Sequence, residues 1–163
     1  MKKGIFASLI PLLCCMFLPI LGLAQQKDTV TLPPVTVTPS SNVDKAVTDA
    51  FNKSFKTATK TKWYEVDKNY LVKFINEDMD NNVLYKQNGS MVYHISYGYE
   101  KNLDADLKEL IQSSYPNYKI TRAIRVRFEN RQVWVMNLEG TQRWVLVRVE
   151  EGQLEEVKNF AKS

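Results

Sequence analysis

The spacing of apolar residues along the chain switches twice from that of helices to that of strands. Apolar side chains recur every third or fourth residue in 43–55 and again in 103–115, so each segment is predicted to form an amphipathic helix. Four short runs rich in β-branched and aromatic residues follow each helix and are predicted to be strands. These strands are predicted at 59–66, 70–76, 82–86 and 91–97, and then at 119–128, 133–138, 143–149 and 153–160.

The same order of elements in both halves predicts a repeated module, at about 43–97 and about 102–160. The links between successive strands are short, which favours antiparallel neighbours. We therefore expect an α+β fold: a tandem repeat of a helix plus a four-stranded antiparallel sheet, with the helices packed on one sheet face. Two such modules can lay their strands side by side as one broad surface.

Alternation in the first strand of the second module predicts which side chains meet the helix. Ile124 and Val126 share one parity of this strand, while Arg125 and Arg127 share the other. Because successive side chains of a strand point to opposite faces, the apolar pair is expected under the helix and the arginines outward. Matching the two modules gives Trp63 the same helix-facing position as Val126. If four-residue links join the first two strands of each module, Trp63 is expected opposite Val72 and Val126 opposite Val135.

The outward sheet face is the predicted functional surface. The middle strands are apolar on both parities, and one layer of helices can cover only one face of a sheet. Arginine beside tryptophan is typical of protein interfaces, although a solvated basic face with the tryptophans in the core is an equal alternative. The predicted partner-binding residues are Tyr64, Leu71, Tyr93, Arg125, Arg127, Trp134, Met136 and Arg143.

The N-terminus has the pattern of a secretory signal peptide. Lys2 and Lys3 precede an apolar run that ends at Gly22-Leu23-Ala24, so residues 1–24 are predicted to be cleaved after Ala24. A retained membrane anchor is disfavoured because two prolines interrupt the run. Residues 25–41 are rich in Thr, Pro and Ser and predict a flexible or extended leader, and residues 42–163 form the predicted folded domain.

The composition of the chain argues against several classes of function. Without Lys2 and Lys3 the formal net charge falls from +4 to +2, which gives little support to nucleic-acid binding. Cys14 and Cys15 both lie in the predicted signal peptide, so the exported chain is expected to have no disulfide and no catalytic thiol. His94 is the single histidine, which leaves no triad and no multi-histidine metal site. We therefore expect no enzyme activity, no cofactor, no catalytic residue and no metal.

A set of aromatic, apolar and glycine positions resembles a known family. The set comprises Ala50-Phe51, Phe55, Trp63, Tyr70, Val72, Phe74, Tyr85 and Asn88-Gly89, followed by Tyr115-Pro116 and Glu151-Gly152. It is similar to the bacterial PepSY-like proteins grouped with beta-lactamase-inhibitor-like (BLIP-like) folds. The resemblance implies export to the periplasm or beyond. The group takes its name from an inhibitor in which an open sheet face binds a partner enzyme. PepSY domains are associated more broadly with protease propeptides and with restraint of protease activity. The matching positions build the core, so no contact residue is carried over.

Three functions remain open at this point. The first is an exported protein-binding module, of which an inhibitor is one form, and its partner is an unknown envelope or secreted protein. The second is a periplasmic sensory module that binds a peptide or another small ligand, which a buried pocket would favour. The third is a homodimer in which two apolar sheet faces cover each other. Nucleic acid and a membrane span in the mature form are not expected.

Overall fold

The computed structural model describes residues 36–162. The predicted signal peptide and most of the predicted leader lie outside this range. The end of the leader segment forms a short edge strand, β1 (Val37–Pro39), in which Val37 pairs with Val66 and Pro39 with Tyr64. This part of the segment is therefore extended and held by backbone pairing.

The described elements alternate between single helices and runs of strands. The helices are α1 (Lys45–Ser54) and α2 (Ala105–Ser114), and a 3₁₀ turn covers Glu100–Asn102. After β1 the strands are β2 (Thr59–Val66), β3 (Asn69–Asn76), β4 (Met79–Tyr85), β5 (Met91–Gly98), β6 (Lys119–Phe128), β7 (Arg131–Glu139), β8 (Arg143–Glu150) and β9 (Gln153–Ala161). All eight strands expected from the spacing form, and β2 and β6 have the predicted bounds.

The predicted fold class, a tandem repeat of a helix plus a four-stranded antiparallel sheet, is wrong. The strands form one nine-stranded sheet in the order β1 to β9, and every neighbouring pair is antiparallel. Strands β5 and β6 pair directly, with Ile95 opposite Val126, so the backbone hydrogen bonds continue across the middle of the chain. Residues 36–162 form a mostly-β fold with two short helices. Alternation within a strand reports its faces but not which strand edges pair, so the pattern predicts two four-stranded units where the structure has one continuous sheet.

Both helices pack on the same face of this sheet, here called the helix face. Val47 and Phe51 of α1 are buried, and the Phe51 ring lies 5.2 Å from Trp63 and 5.0 Å from Phe74 between centroids. On α2 the buried residues include Leu107, whose N–H donates to the Asp104 carboxylate at 3.0 Å and so caps the helix. The apolar spacing therefore predicts the buried helix positions.

The predicted faces of β6 are wrong because of a bulge. The pairing of β6 with β7 shifts between Ile120 and Arg122, and the extra residue reverses the parity of the rest of the strand. Arg125 and Arg127 consequently lie on the helix face, where Arg125 pairs with Trp134. Val126 lies on the opposite face, here called the open face.

The predicted register is correct in one half of the chain and wrong in the other. Trp63 lies opposite Val72 on the helix face, as predicted, but Val126 lies opposite Val133 rather than Val135. The link between β6 and β7 is shorter than the assumed four residues, since Phe128 already pairs with Arg131. Trp63 and Val126 thus occupy opposite faces, and their predicted equivalence does not hold.

Candidate functional site

The open face presents a continuous row of aromatic and apolar side chains. Tyr64, Leu71, Leu84, Tyr93 and Phe128 are consecutive cross-strand partners from β2 to β6, and all five are partly buried. Neighbouring rows add further apolar side chains, namely Ile95, Val126 and Val133, and Tyr97, Ile124 and Val135. Because both helices pack on the other face, the described part of the chain leaves this surface accessible.

The eight residues predicted to bind a partner fall on two faces. Tyr64, Leu71 and Tyr93 lie together in the row on the open face. Trp134 and Met136 lie on the helix face with 6% and 0% of their surfaces exposed, because α2 packs over them. The remaining three are arginines of the helix-face parity: Arg125, Arg127 and Arg143.

The arginine and tryptophan constellation is therefore divided as well. Trp134 belongs to the core, as the alternative interpretation had it, and the Arg125 guanidinium lies 5.5 Å from its ring centroid. Arg143 is exposed at the start of β8 and donates from Nε to the Asn159 amide oxygen. The structure brings Arg125 and Arg127 together but separates both of them from the tyrosines of the open face.

A basic groove lies at one end of the open face. It has a volume of about 450 Å³ and combines Tyr64 and Tyr97 with the cations Lys60, Lys62, Lys73 and Arg122 and with the carboxylate of Asp80. Lys73 Nζ lies 5.3 Å from the Tyr64 ring centroid. Within residues 36–162, none of the four cations forms an ion pair within 4.0 Å. The groove thus carries an excess of positive charge.

Sequence reasoning missed this groove. Lys62 and Lys73 face each other across β2 and β3, and both have the parity of Tyr64. That shared parity is the signal in the sequence. Parity alone does not distinguish a binding groove from solvent-exposed charge, because lysines on exposed strands are usually solvated.

The other end of the open face is electrostatically balanced. Arg131 contacts Glu150 at 2.7 Å, Arg148 contacts Glu155 at 3.2 Å, and Arg148 also pairs with Glu150. Hydrogen bonds from Arg148 and Arg131 lower the pKa of Glu150. At this end Arg131 and Arg148 are paired with carboxylates, whereas within residues 36–162 the four cations of the basic groove are not.

His94 lies on the helix face, where it is buried and takes part in a network of polar side chains. Its Nε2 lies 2.8 Å from Asn81 Oδ1 and 3.0 Å from Ser96 Oγ, and its Nδ1 lies 2.6 Å from Arg127 Nη2. Because a guanidinium can only donate, Nδ1 must accept and Nε2 must carry the proton. Burial, followed by the charges of Arg127 and Arg125, lowers the pKa of His94 to about 3.

This network cannot act as a nucleophile and its base. A serine is activated when a neighbouring imidazole nitrogen accepts its proton, but the nitrogen facing Ser96 already carries one. Ser96 is also completely buried, so no substrate reaches its hydroxyl. The chemistry of His94 and Ser96 is therefore that of a packed hydrogen-bond network.

Two further searches of the described residues give negative results. Among residues 36–162, no group of three or more His, Cys, Asp or Glu side chains is arranged to hold a metal ion. In the same range, neither helix is long and apolar enough to cross a membrane.

No family model and no curated protein matches the sequence. Solved structures do match: a BLIP-like protein of Bacteroides fragilis NCTC 9343 is 21% identical, covers 83% of this chain and 95% of that chain, and has a TM-score of 0.54. This chain has a BLIP-like fold.

Two further structures are similar in fold at lower identity. A DUF2874 family protein of Bacteroides ovatus ATCC 8483 is 17% identical over 75% of this chain and 89% of that chain, with a TM-score of 0.54. A candidate periplasmic protein of Bacteroides eggerthii DSM 20697 is 14% identical over 74% and 89%, with a TM-score of 0.52. At these identities the likeness shows the fold alone. The predicted BLIP-like fold is confirmed, and the PepSY-like resemblance stays a prediction.

Proposed function

We propose that this chain is an exported, non-enzymatic protein-binding module that holds its partner against the open face of the sheet. The observation that carries the proposal is the accessible row of Tyr64, Leu71, Leu84, Tyr93 and Phe128, which ends beside the basic groove. Aromatic side chains are enriched in the buried centres of protein interfaces, and cations at the rim select for complementary charge.

The partner is expected to present an acidic segment to the groove. Lys60, Lys62, Lys73 and Arg122 converge there with one carboxylate, that of Asp80. A carboxylate-bearing segment would neutralise these cations and cover the tyrosines between them. A basic partner would leave like charges opposed, which costs affinity.

Two observations support action outside the cytoplasm. The predicted signal peptide of residues 1–24 directs export, and one of the structures with a similar fold is that of a candidate periplasmic protein. The partner is therefore an envelope or secreted protein. The BLIP-like name of another such structure supports an inhibitor-like role, with the partner being an enzyme.

Reversing the charge of lysines in the basic groove, with a lysine on α1 as the control, tests the proposal. Once a partner has been identified, its affinity for Lys62→Glu and Lys73→Glu variants is compared with that for Lys53→Glu, which makes the same charge change on exposed α1. We expect the two groove variants to bind at least about tenfold more weakly, because each turns an attraction into a repulsion. Equal affinities for all three variants would contradict the use of the open face.

A second candidate function rests on a different groove. A groove of about 600 Å³ beside α2 is lined in part by Leu107, Leu110, Trp134 and Val149. Its other lining residues are mainly polar or charged, and a concave groove of this size with a mixed lining suits a small ligand, which favours the sensory alternative. Leu110→Trp would fill the groove, so loss of a bound metabolite in that variant, with partner binding intact, would support ligand binding there.

A further inference from the structure

The helix face carries two arginines that lack an acidic partner. Arg125 and Arg127 lie on β6 opposite Ser96 and His94 of β5, near the centre of the sheet. One side of this position is closed by α1, whose C-terminal Phe55 ring lies 5.2 Å from His94. The other side is closed by Trp134, which packs beneath α2. The guanidinium groups are thus placed between the two helix-covered cores.

The charges of these arginines are not compensated within residues 36–162. Neither guanidinium lies within 4.0 Å of a described carboxylate. The carboxylates of Glu77 and Asp104 act on the Arg125 guanidinium only by electrostatic attraction at longer range. The groups that do accept from the arginines are neutral.

The hydrogen bonds of the pair are incomplete too. Arg127 donates from Nη2 to Nδ1 of His94 at 2.6 Å, and Arg125 donates from Nη2 to Oγ of Ser96 at 3.4 Å. The Nε atoms of both arginines are buried and have no hydrogen-bond partner among residues 36–162. A buried N–H without an acceptor is costly and rare, and it is costlier still on a charged group. The site therefore offers donors and positive charge together.

We propose that Arg125 and Arg127 form a binding site for an oxyanion, a carboxylate or phosphate group, on the helix face. The planar fork of a guanidinium matches two oxygens of such a group, and two adjacent forks can share one anion. His94 acts here as a positioning residue: it stays neutral, accepts from Nη2 of Arg127 and leaves Nη1 of that guanidinium for the ligand. The site is separate from the open face and does not depend on the function proposed for that face.

Nuclear magnetic resonance of the arginine Nε–H groups tests the site in the unmodified protein. The protein is titrated with sodium phosphate, and in a second arm with sodium acetate, against sodium chloride at equal ionic strength. We expect the Nε–H signals of Arg125 and Arg127 to shift and saturate with at least one oxyanion, while the signal of exposed Arg143 stays in place. If the signals saturate with phosphate alone, the ligand of the site is a tetrahedral anion. If they also saturate with acetate, the site accepts a carboxylate as well. Absence of saturation in both arms, or an equal shift of Arg143, would overturn the proposal.

Substitution provides a second measurement. Arg125→Gln and Arg127→Gln each remove one positive charge and one guanidinium group with its paired N–H donors. Arg143→Gln is the matched control at an exposed arginine. We expect phosphate or acetate to bind each of the first two variants at least about tenfold more weakly, with the control unchanged. If either variant fails to fold, the titration of the unmodified protein decides the question. Unchanged binding in a folded Arg127→Gln variant would contradict the site.

Discussion

At the scale of single residues, His94 shows how burial and neighbouring charge set a protonation state. The imidazole is 2% exposed and faces the Arg127 guanidinium, so a second positive charge there would be neither solvated nor paired. We predict that the imidazole signals in NMR remain those of the neutral Nε2–H form from pH 7 down to about pH 4. His94 is the single histidine of the chain, so the signals need no further assignment. A titration midpoint near pH 6.5 would contradict the described network.

The same shift in pKa makes stability depend on pH. In the unfolded chain His94 has its ordinary pKa of 6.5, and in the folded chain its pKa is about 3. The unfolded state therefore binds more protons as the pH falls below 6.5, and this contribution to stability is lost progressively between pH 6.5 and 3. By pH 5 the loss is on the order of 2 kcal/mol. Urea unfolding of the wild type and of His94→Gln at pH 8 and pH 5 should show this loss in the wild type alone.

Phe51 illustrates a residue whose role can be predicted from the sequence. Its helical spacing predicts burial, and the structure leaves it 5% exposed with rings on several sides. We predict that Phe51→Ala lowers the free energy of unfolding by about 3–5 kcal/mol, because it leaves a cavity under α1. Phe160→Ala, at a ring that is 52% exposed on β9, should change it by less than about 0.5 kcal/mol. Similar losses for the two variants in chemical denaturation would refute the packing described.

At the scale of elements, turn conformation explains two errors of prediction from the sequence pattern. Asn88-Gly89 predicts a two-residue hairpin, but Lys86 N–H donates to Ser90 O and encloses a three-residue loop in which Gly89 alone has a positive φ, of 83°. Strand β4 begins at Met79, earlier than predicted, because Glu77 and Asp78 both adopt positive φ in a tight turn. Aspartate tolerates this left-handed conformation, but the glutamate at position 77 gives no sign of it.

Two glycines with positive φ allow the loop-to-helix contact to be measured. A Cβ on Gly89 would lie 2.5 Å from the Ala46 carbonyl oxygen of α1, whereas a Cβ on Gly152 would meet nothing within 4 Å. Both Gly→Ala changes carry the strain of a left-handed conformation, which is about 1–2 kcal/mol. Gly89→Ala should destabilise by at least about 1 kcal/mol more than Gly152→Ala, because the helix must also shift. Thermal unfolding of the two variants gives the comparison, and equal losses would show that the loop does not touch α1.

The bulge in β6 is the element that the sequence did not reveal. Ile120 lies before it and Ala123 after it, and both are buried on the helix face although their sequence separation is odd. A rule of strict alternation must fail across such a point. This one extra residue moved Arg125 and Arg127 from the predicted open face to the helix face. It also explains why the predicted binding residues do not form a single surface.

At the scale of the whole molecule, the architecture depends on which strand edges pair with each other. The sequence predicts the helices, the eight strands after α1 and the antiparallel links, because these depend on local spacing and short connections. It does not predict that β5 and β6 join into one sheet, since that pairing uses backbone groups that every residue carries. The open face, with both helices on the opposite side, follows from the continuous sheet and carries the proposed function.

Site-specific crosslinking tests this central claim most directly. A photoreactive phenylalanine replaces Leu71 or Tyr93 on the open face, or Lys53 or Lys108 on the helices, in cells that produce the protein. The account predicts a discrete adduct with an acidic envelope or secreted protein from the two open-face positions only, and loss of that adduct when Lys62→Glu and Lys73→Glu are added. A self-adduct of twice the chain mass from those positions would assign the face to a homodimer instead. Equal adducts from the helices, or adducts that survive the charge reversal, would contradict the proposed use of the open face.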